Sequence, residues 1–234
     1  MRIIALFLSL ALAGCVATPV VVATPTARPA PQSPAVTRSP KQAARSFVQV
    51  VDRVMPIARS ACNARTQGVR CDYLVVVDDR LNQPPNAFQT LGRNGQPVVG
   101  FTLPLILSAR NDDELAFILA HEAAHHIEGH IARGRASARS GALVAGALVA
   151  ASGGDPVAVR QARDFGAFYG ARRYAQGFEL EADSLGAVLA LQAGYDPLRG
   201  IMFFQNAPDP GSSFLGTHPP NAQRIANVRR VVGR

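Results

Sequence analysis

At 234 residues and 48% hydrophobic composition, the chain can bury one core of about 190 residues with appendages, so a single domain is the default. Its net charge of +8 owes only Arg2 to the first fourteen residues, and much of the rest sits on Arg133, Arg135, Arg139, Arg224, Arg229, Arg230 and Arg234. On an exported chain that balance argues against nucleic acid and fits anionic lipid headgroups, cell-envelope polymers or solubility alone.

Export is what the amino terminus predicts. Met1-Arg2 precedes an apolar run from Ile3 to Leu12 that ends in small residues, a secretory signal over 1–14. The run is too short to span a bilayer as a mature helix. Leu12-Ala13-Gly14-Cys15 resembles the bacterial lipoprotein processing box, which makes Cys15 a lipidated anchor and the first mature residue. Val16 stands where Asp would retain such a protein at the inner membrane, so the expected location is the outer membrane, facing the periplasm. Several acyl chains on one residue hold where a single chain does not. Residues 16–40 are rich in Pro, Ala, Thr and Val without helical or strand period, so 15–40 reads as an anchor and tether. The domain then occupies 41–234.

Within that domain Phe47, Val50, Val51, Val54 and Ile57 recur at helical intervals, and Pro56 is expected to end or kink that helix. With Cys15 set aside, Cys62 and Cys71 form an even pair in a disulfide-permitting compartment. A bridge there is worth roughly 2–3 kcal/mol, the competing reading being two buried thiols. Tyr73 to Val77 is a β-branched run closed by Asp78-Asp79, hence a strand. Residues 86–91 and 98–102, separated by Gly92-Arg93-Asn94-Gly95, predict a hairpin.

Asn111 is an N-cap candidate, followed by the acidic turn Asp112-Asp113-Glu114 and by apolar residues at 115, 118, 119 and 127, which predicts a helix with one buried face. Inside it lies His121-Glu122-Ala123-Ala124-His125. Residues four apart share a helix face, so both imidazoles can point at one metal ion, with Glu122 placed to take the proton from a water that the metal acidifies. A purely structural helix gains nothing from three such groups near an apolar face, where each costs desolvation. His126 and His130 lack a correspondingly placed glutamate and read as supporting or surface groups. Residues 141–152 are small and apolar but too few to cross a bilayer, and a tightly packed helix is favoured over a membrane-dipping one.

Two histidines leave zinc short of a ligand. Glu179-Leu180-Glu181-Ala182-Asp183 supplies one: Glu179 and Asp183 share a helix face, so Glu179 can reach the metal while Asp183 fixes a histidine tautomer. Glu181 is better placed towards solvent.

These pieces resemble the HtpX-like zinc metallopeptidases, the glutamate-ligand zincins that include integral-membrane CAAX prenyl proteases and small bacterial envelope lipoprotein proteases. The shared elements are His121-Glu122-x-x-His125, Glu179-x-x-x-Asp183, Thr217-His218-Pro219-Pro220 with Arg224, and Asn86-Ala87-Phe88, spread over about residues 41–231. The resemblance implies an α+β fold, a mainly helical zincin-type domain with a small β-sheet packed on the active-site helix. It implies one Zn2+ held by His121, His125 and Glu179, with Glu122 as general base. It further implies that His218 either steadies the oxyanion or caps the zinc, and that Asn86, Ala87 and Phe88 lie where an extended substrate pairs with a strand edge. The branch implies peptide-bond hydrolysis of misfolded or stalled envelope proteins, with the outer-membrane assembly machinery as a further partner. A chaperone-like scaffold for outer-membrane proteins is the alternative. The family's usual Ser-Arg pair is replaced here by Ala175-Gln176, for which Arg172 or Arg173 is the expected substitute charge.

Overall fold

The computed structural model describes residues 38–207 and 218–233. The signal 1–14, Cys15, the tether up to residue 37, and Thr217 lie outside the described residues. The chain opens with α1 (Pro40–Arg65), whose first turn is closed by a Ser39/Gln42 capping box with Pro40 just inside the helix. Phe47, Val50, Val54, Ala58 and Cys62 form its buried stripe. Pro56 does not end this helix, which runs more than two turns beyond it. The lost backbone hydrogen bond is offset by burial of Ala58 and Cys62 and by a disulfide joining Cys62 to Cys71, whose Cα atoms are 5.8 Å apart.

That disulfide delivers the chain to β1 (Leu74–Asp78). The predicted hairpin forms from β2 (Ala87–Leu91) and β3 (Pro97–Thr102), antiparallel with Phe88 opposite Gly100. Its turn is made by Asn94 and Gly95, both with positive φ, which these two residue types tolerate best. What the local sequence does not reveal is that β1 pairs in parallel with β3, giving the order β1-β3-β2. The hairpin's second strand is therefore central, and β2 is an edge beside the motif helix.

A short α2 (Leu103–Ser108) leads to α3 (Asp112–Ile127). Asn111 caps α3 by accepting from the Glu114 N–H, and the Glu114 carboxylate accepts in turn from the Arg110 N–H. The expected single buried face is an underestimate. Leu115 to Ala120, His121, Ala123 and Ala124 are all buried, because α1, the sheet and the later helices enclose α3.

Only helices follow among the described residues: α4 (His130–Ala151), α5 (Pro156–Arg173), α6 (Ala175–Gln192), the single turns α7 (Pro197–Gly200) and α8 (Phe203–Asn206), and α9 (Asn221–Val232). α4 and α5 pack chiefly on each other as a hairpin, whereas α6 lies along α3. The fold is α+β and mostly helical, with a three-stranded sheet against the central helix.

Candidate metal centre

Helix period brings the site's parts together. His121 and His125 are one turn apart on α3, and their Nε2 atoms lie 3.0 Å from each other. Glu179, Asp183 and Gly186 form one stripe along α6. Gly186 is where that stripe meets α3: a Cβ there would stand 2.9 Å from both the Cα and the N of His121. The close approach sets Glu179 Oε2 3.5 Å from His121 Nε2 and Glu179 Oε1 3.4 Å from His125 Nε2. The three donor atoms lie within 4.8 Å of one another, a cluster that could hold a metal ion.

The far nitrogens of both rings are also engaged. His121 Nδ1 donates to Asp183 Oδ1 at 2.9 Å, and Asp183 is held by two hydrogen bonds from the Arg224 guanidinium, at 2.6 and 2.9 Å. Arg224 is itself buried, with its guanidinium 3.8 Å from the centre of the Phe204 ring. His125 Nδ1 lies 2.8 Å from His130 Nδ1, and His130 Nε2 lies 3.0 Å from Glu181 Oε2, which also binds Arg133. A neutral His130 that accepts from His125 and donates to Glu181 satisfies this chain, leaving His125 Nε2 bare for a metal. Burial lowers the His130 pKa and so favours that neutral form.

Charge at the site follows from burial and partners. Burial pushes the Glu122 carboxyl up to about 7. Burial pulls His121 down, but Asp183 and Glu179 outweigh it and raise the ring to about 9. Burial also opposes ionisation of Glu179, yet His121, His125 and His218 hold it far below the usual carboxylate range. Asp183 is likewise held low against burial, by Arg224 and His121.

The residues singled out in the sequence are unequally placed. His218, at the start of the segment before α9, sets Nδ1 3.1 Å from Glu179 Oε2. Asn86 and Ala87 line a cavity of about 350 Å³ that also receives His121, Glu122, Glu179 and His218. Phe88 does not line it and packs across Gly100, because strand neighbours face opposite ways. Arg172 and Arg173 sit over the rings of Phe168 and Tyr174 and form no ion pair among the described residues, so neither replaces the missing Ser-Arg charge. The cation beside Glu179 is Arg224, 3.8 Å away. His126 is also buried, with Nε2 2.7 Å from the Arg70 carbonyl oxygen. Glu181 is partly exposed but tied to His130 and Arg133, a contact that local spacing across fifty residues cannot reveal. One sequence signal does point to His130: four of the chain's five histidines fall between 121 and 130.

The donor set of two imidazoles and one carboxylate, each imidazole oriented through its other nitrogen, is a zinc-type set with room for a non-protein ligand. The model of peptidase family M48 matches residues 44–232, across the whole of this arrangement. The chain belongs to peptidase family M48. Peptidases of this family are zinc metalloproteases. Beta-barrel assembly-enhancing protease of Yersinia pestis is 28% identical over 184 residues, covering 73% of this chain and 36% of that protein. Mitochondrial metalloendopeptidase OMA1 of Saccharomyces cerevisiae is 28% identical over 181 residues, covering 73% of this chain and 50% of its own length. The M48 chain thus spans half or less of the curated relatives it matches here.

Proposed function

We propose that this chain is a zinc metalloendopeptidase of the bacterial cell envelope, anchored through a lipid on Cys15 and cleaving misfolded or stalled envelope proteins. The observation that supports it most is the conjunction of an oriented His121-His125-Glu179 set with a half-buried Glu122 at the wall of the same cavity. A purely structural zinc site is closed by four protein ligands and has no use for such a carboxyl.

When bound, zinc supplies Lewis-acid chemistry, polarising a carbonyl and making water more acidic. His121, His125 and Glu179 would hold it, and Asp183 and His130 keep both rings in the tautomer that leaves Nε2 free. Glu122 takes the proton of the attacking water and passes it to the leaving amine. A carboxyl raised towards neutrality by burial suits both halves of that transfer. His218 stands beside Glu179, where it would steady the oxyanion or cap a bound metal. Edge strand β2 offers backbone groups to an extended substrate next to Asn86 and Ala87.

The assembly-enhancing role in the name of the Yersinia protease supports a second reading, in which the chain acts as a chaperone-like scaffold with the outer-membrane assembly machinery as partner. One pair of measurements separates the two. Glu122→Gln should keep its zinc and lose at least about a hundredfold in cleavage of an unfolded polypeptide, matching wild type under a chelator. Equal cleavage by variant and wild type would reject the peptidase; rescue of an envelope defect by Glu122→Gln as full as by wild type would favour the scaffold.

A further inference from the structure

The edge of β2 continues past the metal set. The Thr102 N–H donates to the Asn86 carbonyl at 2.9 Å, and the Gly92 N–H to the Gln96 carbonyl at 2.8 Å. In the antiparallel register these bonds turn the even-numbered residues of 86–92 towards β3, so the N–H and C=O groups of Ala87, Gln89 and Leu91 face the open edge. The same three residues present their side chains on one face. Ala87 lines the cavity at the metal set, Gln89 lines a second hollow with Glu122 and His125, and Gln89 and Leu91 line a third of about 260 Å³. His125 borders all three. From Ala87 to Leu91 the row is about 13 Å long.

The third hollow exists because three turns meet there without filling it. Gly68 after α1, Gly95 in the hairpin and Gly129 between α3 and α4 all line it, and a Cβ on any of them would meet nothing within 4 Å. Its remaining wall is largely apolar: Val69, Leu91, Ile127, Ile131 and Ala132. Val69 and Leu91 are 44% and 37% exposed, so these apolar side chains stand open to an incoming group. Arg70 and His126 are engaged within the protein, the guanidinium with Asp72 and the imidazole with the Arg70 carbonyl. Such walls favour an apolar occupant and penalise a charged one. A cavity of about 150 Å³ already accepts a benzene ring, so this one has room for a large side chain.

Continuity with the metal set identifies whose side chain it is. A peptide pairing with the outward groups of Ala87, Gln89 and Leu91 gains most in the antiparallel sense, which places its N-terminal part towards Leu91. With the scissile bond held opposite Ala87 to Gln89, beside Glu122 and His125, the residue opposite Leu91 precedes it by two to four positions. We infer that the hollow between Val69, Leu91 and Ile131 is a specificity subsite that receives a large apolar side chain of the substrate, two to four residues N-terminal to the scissile bond. The inference rests on the peptidase reading and adds a sequence preference to it.

The test uses the zinc-loaded full chain and a mixture of unstructured peptides, with the cut sites read by mass spectrometry. Leucine or phenylalanine should be enriched at one position within that window. In matched peptides, leucine there should exceed alanine about tenfold in kcat/KM. Leu91→Glu should remove that ratio and favour lysine at the same position, and Ala132→Trp, an exposed site at the rim, should remove it by filling the hollow. Leu191→Glu, on α6 away from the row, should keep it. Cleavage without a preference in the window, a preference only on the C-terminal side of the cut, or a ratio unchanged in both Leu91→Glu and Ala132→Trp would overturn the subsite and leave the peptidase standing. Absence of cleavage by every form would overturn the peptidase reading and the subsite together.

Discussion

His121 uses its two ring nitrogens for opposite ends: Nδ1 donates a hydrogen bond to Asp183, and Nε2 faces His125 and Glu179. His125 has the same division, with His130 and then Glu181 behind it. Losing such an oriented partner typically costs 10–100-fold in metal affinity, so His130→Ala should release zinc at roughly 10–100-fold lower chelator concentration than wild type. His130→Asn, which keeps a polar group near His125, should recover part of that loss. A variant with unchanged zinc retention would leave His130 as a packing residue only. Proton competition belongs at this scale too. With its pKa raised to about 9 in the metal-free site, His121 carries a proton at neutral pH that a metal must displace. Apparent zinc affinity should therefore fall as pH drops from about 9, with protons released on binding, measurable by calorimetry in buffers of different ionisation enthalpy.

Between elements, the decisive contact is the crossing of α3 and α6 at Gly186. Without a Cβ there, α6 lies against the His121 backbone and its Glu179 and Asp183 reach the α3 histidines one and two turns away. Gly186→Ala must push the helices apart by a few tenths of an ångström. Overpacking of this kind costs about 1–3 kcal/mol, and the same displacement should loosen the metal set. The expected outcome is a lower urea midpoint together with zinc loss at lower chelator concentration. Gly177→Ala offers the contrast: a Cβ there meets nothing within 4 Å, so neither quantity should fall.

At the scale of the whole molecule, the Cys62–Cys71 bridge joins the end of α1 to the approach of the sheet. It closes a nine-residue separation, for which chain entropy gives about 2.6 kcal/mol. Replacing both cysteines with serine should lower Tm by roughly 5–10 °C for a domain of this size. Because Tyr73, two residues past Cys71, donates to the Ala123 carbonyl of α3, the loosened segment borders the motif helix as well as the core.

The sequence by itself determined what local spacing can encode. His121-Glu122-x-x-His125 reads as one helix face because its period is one turn, the hairpin shows in its two apolar runs and Asn-Gly turn, and Glu179 with Asp183 shows in a second four-residue step. Tertiary structure decided what depends on groups far apart in the chain. The parallel pairing of β1 with β3 leaves β2 as the edge, enclosure by neighbours on all sides buries α3 beyond its own apolar pattern, and packing carries α1 past Pro56. Arg224, not Arg172 or Arg173, brings positive charge to Glu179, and Glu181 reaches His130 across fifty residues. The small residues of α4 and α5 predicted a close seam, but only their packing turned Leu143, Val144 and Leu148 outward. Local period fixes which face a side chain takes, while the partner that face meets depends on how the whole chain closes on itself.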